Sequence, residues 1–431
     1  MNKNIESVYI DILKEELVPA LGCTEPGAIA FSTSKAREIL GGQPDHIDII
    51  CSGNIIKNAK GVTVPNSGGM IGIEAAGILG ALISEADDEL EILKSADDNI
   101  RKCTNELMGQ GYCTTHLAED VSGFYLKVIA VKGDDEAEVI IKDHHTQIIF
   151  LRKNDNIILD KTNIENKEEK DNRNLLNIKD IVEFAANVEI SKIEPVLSPQ
   201  IKYNLAVAEE GMNVSYGAQV GRTVLETNEN TAKIKARAMA AAGSDARMGG
   251  CSLPVIVNSG SGNQGLTLAV PLVVYARESG YSDEQLYRAL AISNLVAIHI
   301  KKYIGTLSAF CGAISAGAAA GAGITYLEGG NYEQIATTII NVLGNLGGVI
   351  CDGAKASCAA KISSAIDAAF ISSEMALAGR TYLFGQGIVI DDIEKTIKNV
   401  GQVAKEGMYS TDVEILKIML EDENKGGNCY D

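Results

Sequence analysis

Three cysteines, Cys311, Cys351 and Cys358, carry the chemistry that most needs explaining. Thiolates hold zinc and iron–sulfur clusters. The spacing C-x39-C-x6-C matches neither the zinc-ribbon nor the ferredoxin pattern, both of which use C-x2-C pairs. In one continuous helix, Cys351 and Cys358 would stand roughly 10 Å apart along the axis, too far to share a metal centre. The intervening Asp352-Gly353 is a turn signal, however. A turn at 351–353 and a helix starting near Lys355 would fold Cys351 back towards Cys358. The same arrangement aims free backbone N–H groups at the site, which suits an anionic cluster. Cys311 precedes Gly312 and opens a run of small residues, "FCGAISAGAAAGAGITYL" (310–327), able to pack closely around a bulky group. Spacing alone leaves two readings open: ligands of one centre, or three small hydrophobes in a core.

A substrate would need polar partners. "SGSGNQG" (259–265) offers backbone N–H groups and the side chains of Ser259, Ser261 and Asn263, which read equally as an anion nest or a plain turn. The loops "SGN" (52–54) and "PNSGG" (65–69) add Asn54 and Asn66. No Walker or Rossmann fingerprint is present. His299 reads as a satisfied helix histidine, with a proton-carrying role as the alternative. His144-His145 reads as a solvated turn, and Lys301-Lys302 as a surface pair.

The elements that must position these residues follow from periodicity. Residues 5–18 and 25–40 read as helices, the first stopped by Pro19. "HIDIICSG" (46–53) reads as a strand, 52–69 as a loop, and "MIGIEAAGILGALIS" and "LEILKSADDNIRKCTNELM" as helical. From Phe124 to Asp160 four short β-type runs separated by turn signals predict an antiparallel meander. The charged run 161–174 is a linker or exposed loop. Beyond residue 175 nearly everything is helical or Gly-rich turn. The fold class expected is α+β: a helical body (1–40 plus 175–431) and a smaller lobe over 41–165 with an antiparallel sheet.

The totals agree with a globular protein of two domains: 431 residues, 46% hydrophobic and 22% charged. A net charge of −19 argues against nucleic acid or an anionic membrane surface as partner. The uncharged stretch 303–327 is long enough to cross a bilayer, but its Gly, Ala and Ser add little transfer energy, so it reads as a buried core helix. "MNKNIESVYIDILKEEL" has no apolar h-region, which predicts a cytoplasmic location. There, nine cysteines point to metal binding or catalysis for some of them rather than to a disulfide framework.

Taken together, "LGCTEPGAIA" (21–30), "SGSGNQG" (259–265), "GTLSAFCGAISAG" (305–317) and "GGVICDGAKASC" (347–358) resemble the L-cysteine desulfidase family, related to the iron–sulfur L-serine dehydratase α-chain. The resemblance runs from residue 21 to past 400. It implies a 4Fe–4S lyase that breaks L-cysteine into pyruvate, ammonia and sulfide without pyridoxal phosphate. Cys311, Cys351 and Cys358 fall where that family's three cluster cysteines lie, and Cys23 at a fourth, catalytic or exchangeable, cysteine. A depressed Cys23 pKa at a helix start would suit a base. A related dehydratase would eliminate water from L-serine or L-threonine, and a non-catalytic cluster protein would sense redox state or cysteine. The partner expected is a small amino acid, with self-association left open. Cysteines 51, 103, 113, 251 and 429 match no motif, although Cys429, in the tail "KGGNCYD", could cap an open iron.

Overall fold

The computed structural model describes residues 3–83, 88–119, 121, 123–162, 172–305, 308–385 and 387–421. Cys429 lies outside the described residues. The fold is α+β. The strands are β1 (Pro19–Leu21), β2 (His46–Cys51), β3 (Cys113–Leu117), β4 (Tyr125–Lys132), β5 (Asp135–Lys142), β6 (Ile148–Lys153), β7 (Asn156–Asp160) and β8 (Pro254–Ile256). The helices of the first half are α1 (Lys3–Glu16), α2 (Thr24–Leu40), α3 (Gly53–Ala59), α4 (Ile73–Leu82), α5 (Asp98–Leu107), α6 (Ile178–Asn187), α7 (Ile190–Asn213) and α8 (Val220–Thr227). Those of the second half are α9 (Ala232–Met248), α10 (Gly262–Ser279), α11 (Asp283–Ile304), α12 (Gly312–Leu327), α13 (Tyr332–Leu346), α14 (Ser357–Leu377), α15 (Ile393–Gln402) and α16 (Tyr409–Glu421).

The main sheet runs β3-β2-β4-β5-β6-β7. The meander from β4 to β7 is antiparallel throughout, as the alternation predicts. The sheet as a whole is mixed, because β3 pairs parallel with β2. "CTTHL" gives too short an alternation to be recognised as a strand before its partner is known. Residues 53–59 form α3 rather than a loop. Ile55 and Ile56 bury against the sheet, and that packing outweighs the poor helix propensity of the surrounding Gly and Asn.

Two hydrophobic cores result. One is helical, built from α1, α6, α7 and α9–α15. The other joins the sheet to α2, α3 and α4. Helix α2 therefore shares its core with the sheet, although its residues precede the boundary expected at 41. Residues 24–34 of α2 are all buried, and their hydroxyls find partners: Ser32 Oγ donates to Ala28 O (2.8 Å) and Thr33 Oγ1 to Ala30 O (3.0 Å) within the helix, and Ser34 Oγ to Ile83 O (3.0 Å) beyond it. The last described helix, α16, returns to the same lobe. There Asp412 pairs with Lys57, and Lys60 Nζ donates to Met419 O at 2.7 Å.

Helix α12 is the core helix that its small residues predict. It packs against α10, α11, α13 and α14. A Cβ on Gly317 would sit 2.8 Å from that of Ala365, one on Gly321 would meet Thr338 at 2.9 Å, and one on Gly323 would lie 3.0 Å from Ala289 O. Among the described residues no helix is long and apolar enough to cross a membrane.

Candidate functional site

The cysteines are gathered by chain segments that meet between the two cores. Cys311 is the N-cap of α12, and its N–H donates to Val349 O at 3.1 Å. In return Cys351 N–H donates to Ala309 O at 2.5 Å, and Phe310 bridges Ile350. This short antiparallel contact ties two cysteines 40 residues apart into one backbone unit. The turn expected after Cys351 is present. Gly353 has φ +102°, and a Cβ there would lie 2.1 Å from Lys57 O of the sheet lobe, so this position demands glycine. Cys358 follows as the second residue of α14, with its Sγ 3.7 Å from Gly353 O. Cys23, the N-cap of α2, packs in a small apolar cluster with Val62 and Met248, against which Cys358 lies.

All four cysteines line one cavity of about 110 Å³. The acid of the turn faces away from them: Asp352 pairs with Lys355 and with Lys361, whose Nζ is 2.6 Å from Oδ1. Burial pushes the Cys311 thiol up to about 12, with Cys351 beside it adding to the rise. Burial also raises Cys358.

The sheet lobe supplies the opposite wall. Glu25 is buried, and its carboxylate accepts from Cys23 Sγ (3.0 Å), Thr24 Oγ1 (3.1 Å) and Asn58 Nδ2 (2.9 Å). Its Oε1 also stands 4.0 Å from His145 Nε2, an ion-pair rather than a hydrogen-bond distance. Burial favours the protonated acid, but His145 and the thiol outweigh it and hold the Glu25 carboxyl well below the usual range. Cys23 goes the other way. Burial and then the Glu25 charge push its thiol well above the ordinary value, which corrects the depressed pKa expected of a helix-start cysteine. The helix N-terminus is present, but burial and a hydrogen-bonded carboxylate 3.0 Å away override it.

Two readings of the polar residues are overturned. Lys301 is not a surface residue: it is buried on the cavity wall, and burial pulls its ammonium down to about 8 while Cys351 and Cys311 push it back up. Lys302 Nζ donates to Arg173 O (3.2 Å). His145 is likewise buried, stacked on Phe124 at 4.6 Å between ring centroids, whereas His144 stays exposed. His299 is the satisfied helix histidine expected, with Nε2 2.7 Å from Glu394 Oε2.

Ser259, Ser261 and Asn263 all line the cavity. The Ser259 hydroxyl donates to Asn258 Oδ1 (3.0 Å), and that of Ser261 caps α10 by accepting from Gln264 N (3.4 Å). Asn54 and Asn66 do not line it. Asn66 holds the backbone carbonyls of Leu93 and Ala96, each at 3.0 Å. Asn58, one turn after Asn54 on α3, takes the cavity position instead. Glu25, Lys57, Asn58, His145, Arg247 and Gln264 line the cavity without having been singled out from sequence. Only Glu25 and Gln264 carry a signal, since both lie within quoted motifs.

The donor set suits a thiolate-ligated cluster. Burial holds the protons of Cys311 and Cys358, and a bound cation would deprotonate thiols so placed. Among the described residues the side chains do not already form a closed group of three metal ligands. The cysteines line one cavity, and closing on a shared centre is a further step.

The sequence matches the serine dehydratase alpha chain family over residues 87–417, a stretch that holds Cys311, Cys351 and Cys358. The chain belongs to that family. It is also similar, over nearly its whole length, to proteins named UPF0597. One from Treponema denticola is 47% identical over 429 residues, 98% of this chain and 100% of the relative. One from Lachnoclostridium phytofermentans is 49% identical over 412 residues, 95% of this chain and 99% of the relative. One from Bacteroides thetaiotaomicron is 38% identical over 434 residues, covering 97% and 98% of the two chains.

Proposed function

We propose that this protein is an iron–sulfur-dependent lyase that cleaves L-cysteine to pyruvate, ammonia and sulfide. One observation carries the reading: four cysteines from distant parts of the chain line a single buried cavity. Cys311, Cys351 and Cys358 would hold a 4Fe–4S cluster. When bound, a cluster with three protein thiolates keeps one iron open, a Lewis acid for the substrate's β-substituent.

The chain's own residues supply binding and proton handling. The 259–264 loop and Arg247 hold the amino acid on the body side. Cys23 is the catalytic thiol. To accept the Cα proton it must first lose its own, which burial and the carboxylate of Glu25, 3.0 Å away, oppose; the charge of Arg247 favours the thiolate. Loss of the Cα proton and breakage of the Cβ–S bond give 2-aminoacrylate and sulfide. Tautomerisation to the imine and addition of water then give pyruvate and ammonia. Lys301, buried beside Cys311 and Cys351, places a positive charge where anionic thiolates collect.

The family match favours one competitor, L-serine dehydration, in which hydroxide leaves in place of sulfide. Anaerobic reconstitution with iron and sulfide, followed by incubation with each amino acid, decides between them. The expected result is pyruvate and sulfide from L-cysteine in excess of pyruvate from L-serine. The reverse ratio makes the protein a dehydratase. Iron-loaded protein that releases pyruvate from neither overturns the lyase reading.

A further inference from the structure

The cavity wall formed by the helical body contains polar atoms that nothing among the described residues satisfies. Arg247, in the last turn of α9, is only 3% exposed, and its Nε is buried without a hydrogen-bond partner. Among the described residues no carboxylate stands within ion-pair distance of it. In the first turn of α10, Asn263 Oδ1 and Gln264 Oε1 are also buried and unpartnered, and Gln264 is 4% exposed. Burying such groups unsatisfied costs about 1–3 kcal/mol each, more for a charged one. Three of them converging on one cavity point to a ligand that supplies what they lack.

Their positions are mutually fixed. A Cβ on Gly262 would fall 2.3 Å from Arg247 Nε, so the guanidinium lies directly on the first turn of α10. Asn263 turns its amino group to Met248 Sδ at 3.6 Å, the residue after Arg247, and its carbonyl oxygen is left over. Gln264 packs under Gly312, next to Cys311. Arg247 also lies close enough to Cys23 and Cys358 for its charge to favour both thiolates. A planar donor fork thus sits beside two amide acceptors, at the edge of the thiol set.

We infer that three residues of this wall set the specificity of the site for both ends of its amino acid: Arg247 binds the α-carboxylate, and the carbonyl oxygens of Asn263 and Gln264 accept from the α-ammonium. The assignment rests on the lyase reading for the location of the site, but not for its chemistry. A guanidinium matches a carboxylate with two parallel hydrogen bonds, and amide oxygens are acceptors that an ammonium requires. The pairing excludes peptides, N-acyl amino acids and amino amides, because each would leave one buried group unmet. It extends recognition beyond the serines of the same loop, whose hydroxyls already serve the loop itself.

L-Alanine tests this because it has both ends and no leaving group. Equilibrium dialysis of the full-length protein should show L-alanine binding about 10- to 100-fold more tightly than L-alaninamide, which lacks the carboxylate, or propionate, which lacks the ammonium. Arg247→Gln should bring L-alanine down to the affinity of L-alaninamide, and Gln264→Leu should bring it towards that of propionate. Arg247→Lys keeps the charge without the fork and should retain part of the discrimination, which covers a failure of Arg247→Gln to fold. Wild-type protein that binds L-alaninamide as tightly as L-alanine, or that binds no L-alanine, overturns the inference without any variant. Unchanged discrimination in Arg247→Gln also overturns it. Pyruvate release from L-cysteine by the same preparations separates the two ideas: discrimination without turnover sinks the lyase reading alone, and turnover without discrimination sinks the specificity assignment alone.

Discussion

The two walls of the cavity handle their polar groups in opposite ways. On the sheet side the Glu25 carboxylate is engaged by Cys23, Thr24 and Asn58 and Lys57 is paired with Asp412, which leaves His145 Nε2, 4.0 Å from Glu25 Oε1, as the atom there without a hydrogen bond among the described residues. On the body side Arg247, Asn263 and Gln264 each carry a buried atom with no partner among the described residues, and the thiols of Cys311 and Cys358 carry protons that burial holds in place. A wall that satisfies itself can be rigid without a ligand. A wall that does not is completed by what binds, and here its unpartnered residues on α9 and α10 share the cavity with the cysteines of the neighbouring segments.

The largest effect that could break this contrast comes from the body-side thiols. Cys311→Ala, Cys351→Ala or Cys358→Ala should each abolish iron loading and turnover while a cooperative thermal melt survives, as iron-to-protein ratio and calorimetry would show. Retention of stoichiometric iron by any of the three would remove that cysteine from the ligand set. On the sheet side, Cys23→Ser should keep its iron and lose turnover by about 10²- to 10⁴-fold, the range for removal of a proton-transferring group. Loss of the iron instead would move Cys23 into the ligand set.

Glu25→Gln sharpens the comparison through stability. It leaves Cys23, Thr24 and Asn58 without their charged acceptor and should cost about 3 kcal/mol at neutral pH. The wild-type carboxyl is held below its ordinary range, so its contribution is present above the unfolded pKa and is lost as pH falls through the lower folded value. The gap between wild type and variant in urea denaturation should therefore narrow in acid.

The smallest effect has the opposite sign and lies behind the body wall. Asp245, two residues before Arg247, is buried, and burial raises its carboxyl to about 6 from 3.8, although Gly221 N–H donates to it at 3.0 Å. A raised folded pKa gives stability that is full below the unfolded value and lost as pH rises through about 6. Asp245→Asn should thus stabilise the protein by about 2 kcal/mol at pH 8 and make no difference below about pH 4. An equal effect at both pH values would mean that the carboxyl is not titrating as described.

How far the sequence could be read depended on the range of the interactions. The turn at Asp352-Gly353 and the burial of α12 are local in origin, one from a glycine with a left-handed φ and the other from an unbroken run of small residues. The meander from β4 to β7 was equally plain in its alternation. Arg247 escaped notice, and Lys301 and His145 read as surface, because each sits in a polar or mixed segment. Their burial is decided by the docking of α9, α11 and the β5–β6 turn around the cavity, which no window of sequence contains. The depressed pKa expected for Cys23 failed for a related reason. Burial of Cys23 is the larger cause of its raised pKa and the Glu25 charge the second, and both follow from the closing of the cavity by Asn58 and His145 of the sheet lobe.

Helix α12 also bears on how this protein can change over generations. Its glycines meet Ala365, Thr338 and the Ala289 carbonyl at distances that leave no space for a methyl group, so accepted replacements along its length will be sorted by volume before chemistry. In a saturation library Gly317, Gly321 and Gly323 should tolerate little beyond glycine itself. The exposed Leu383 and Phe384 of the 380s loop should accept almost any residue. Drift towards larger side chains is closed to this helix unless α13 or α14 gives up bulk at the facing position in the same lineage. Its small residues should therefore persist through paired exchanges, in which one partner grows only as the other shrinks.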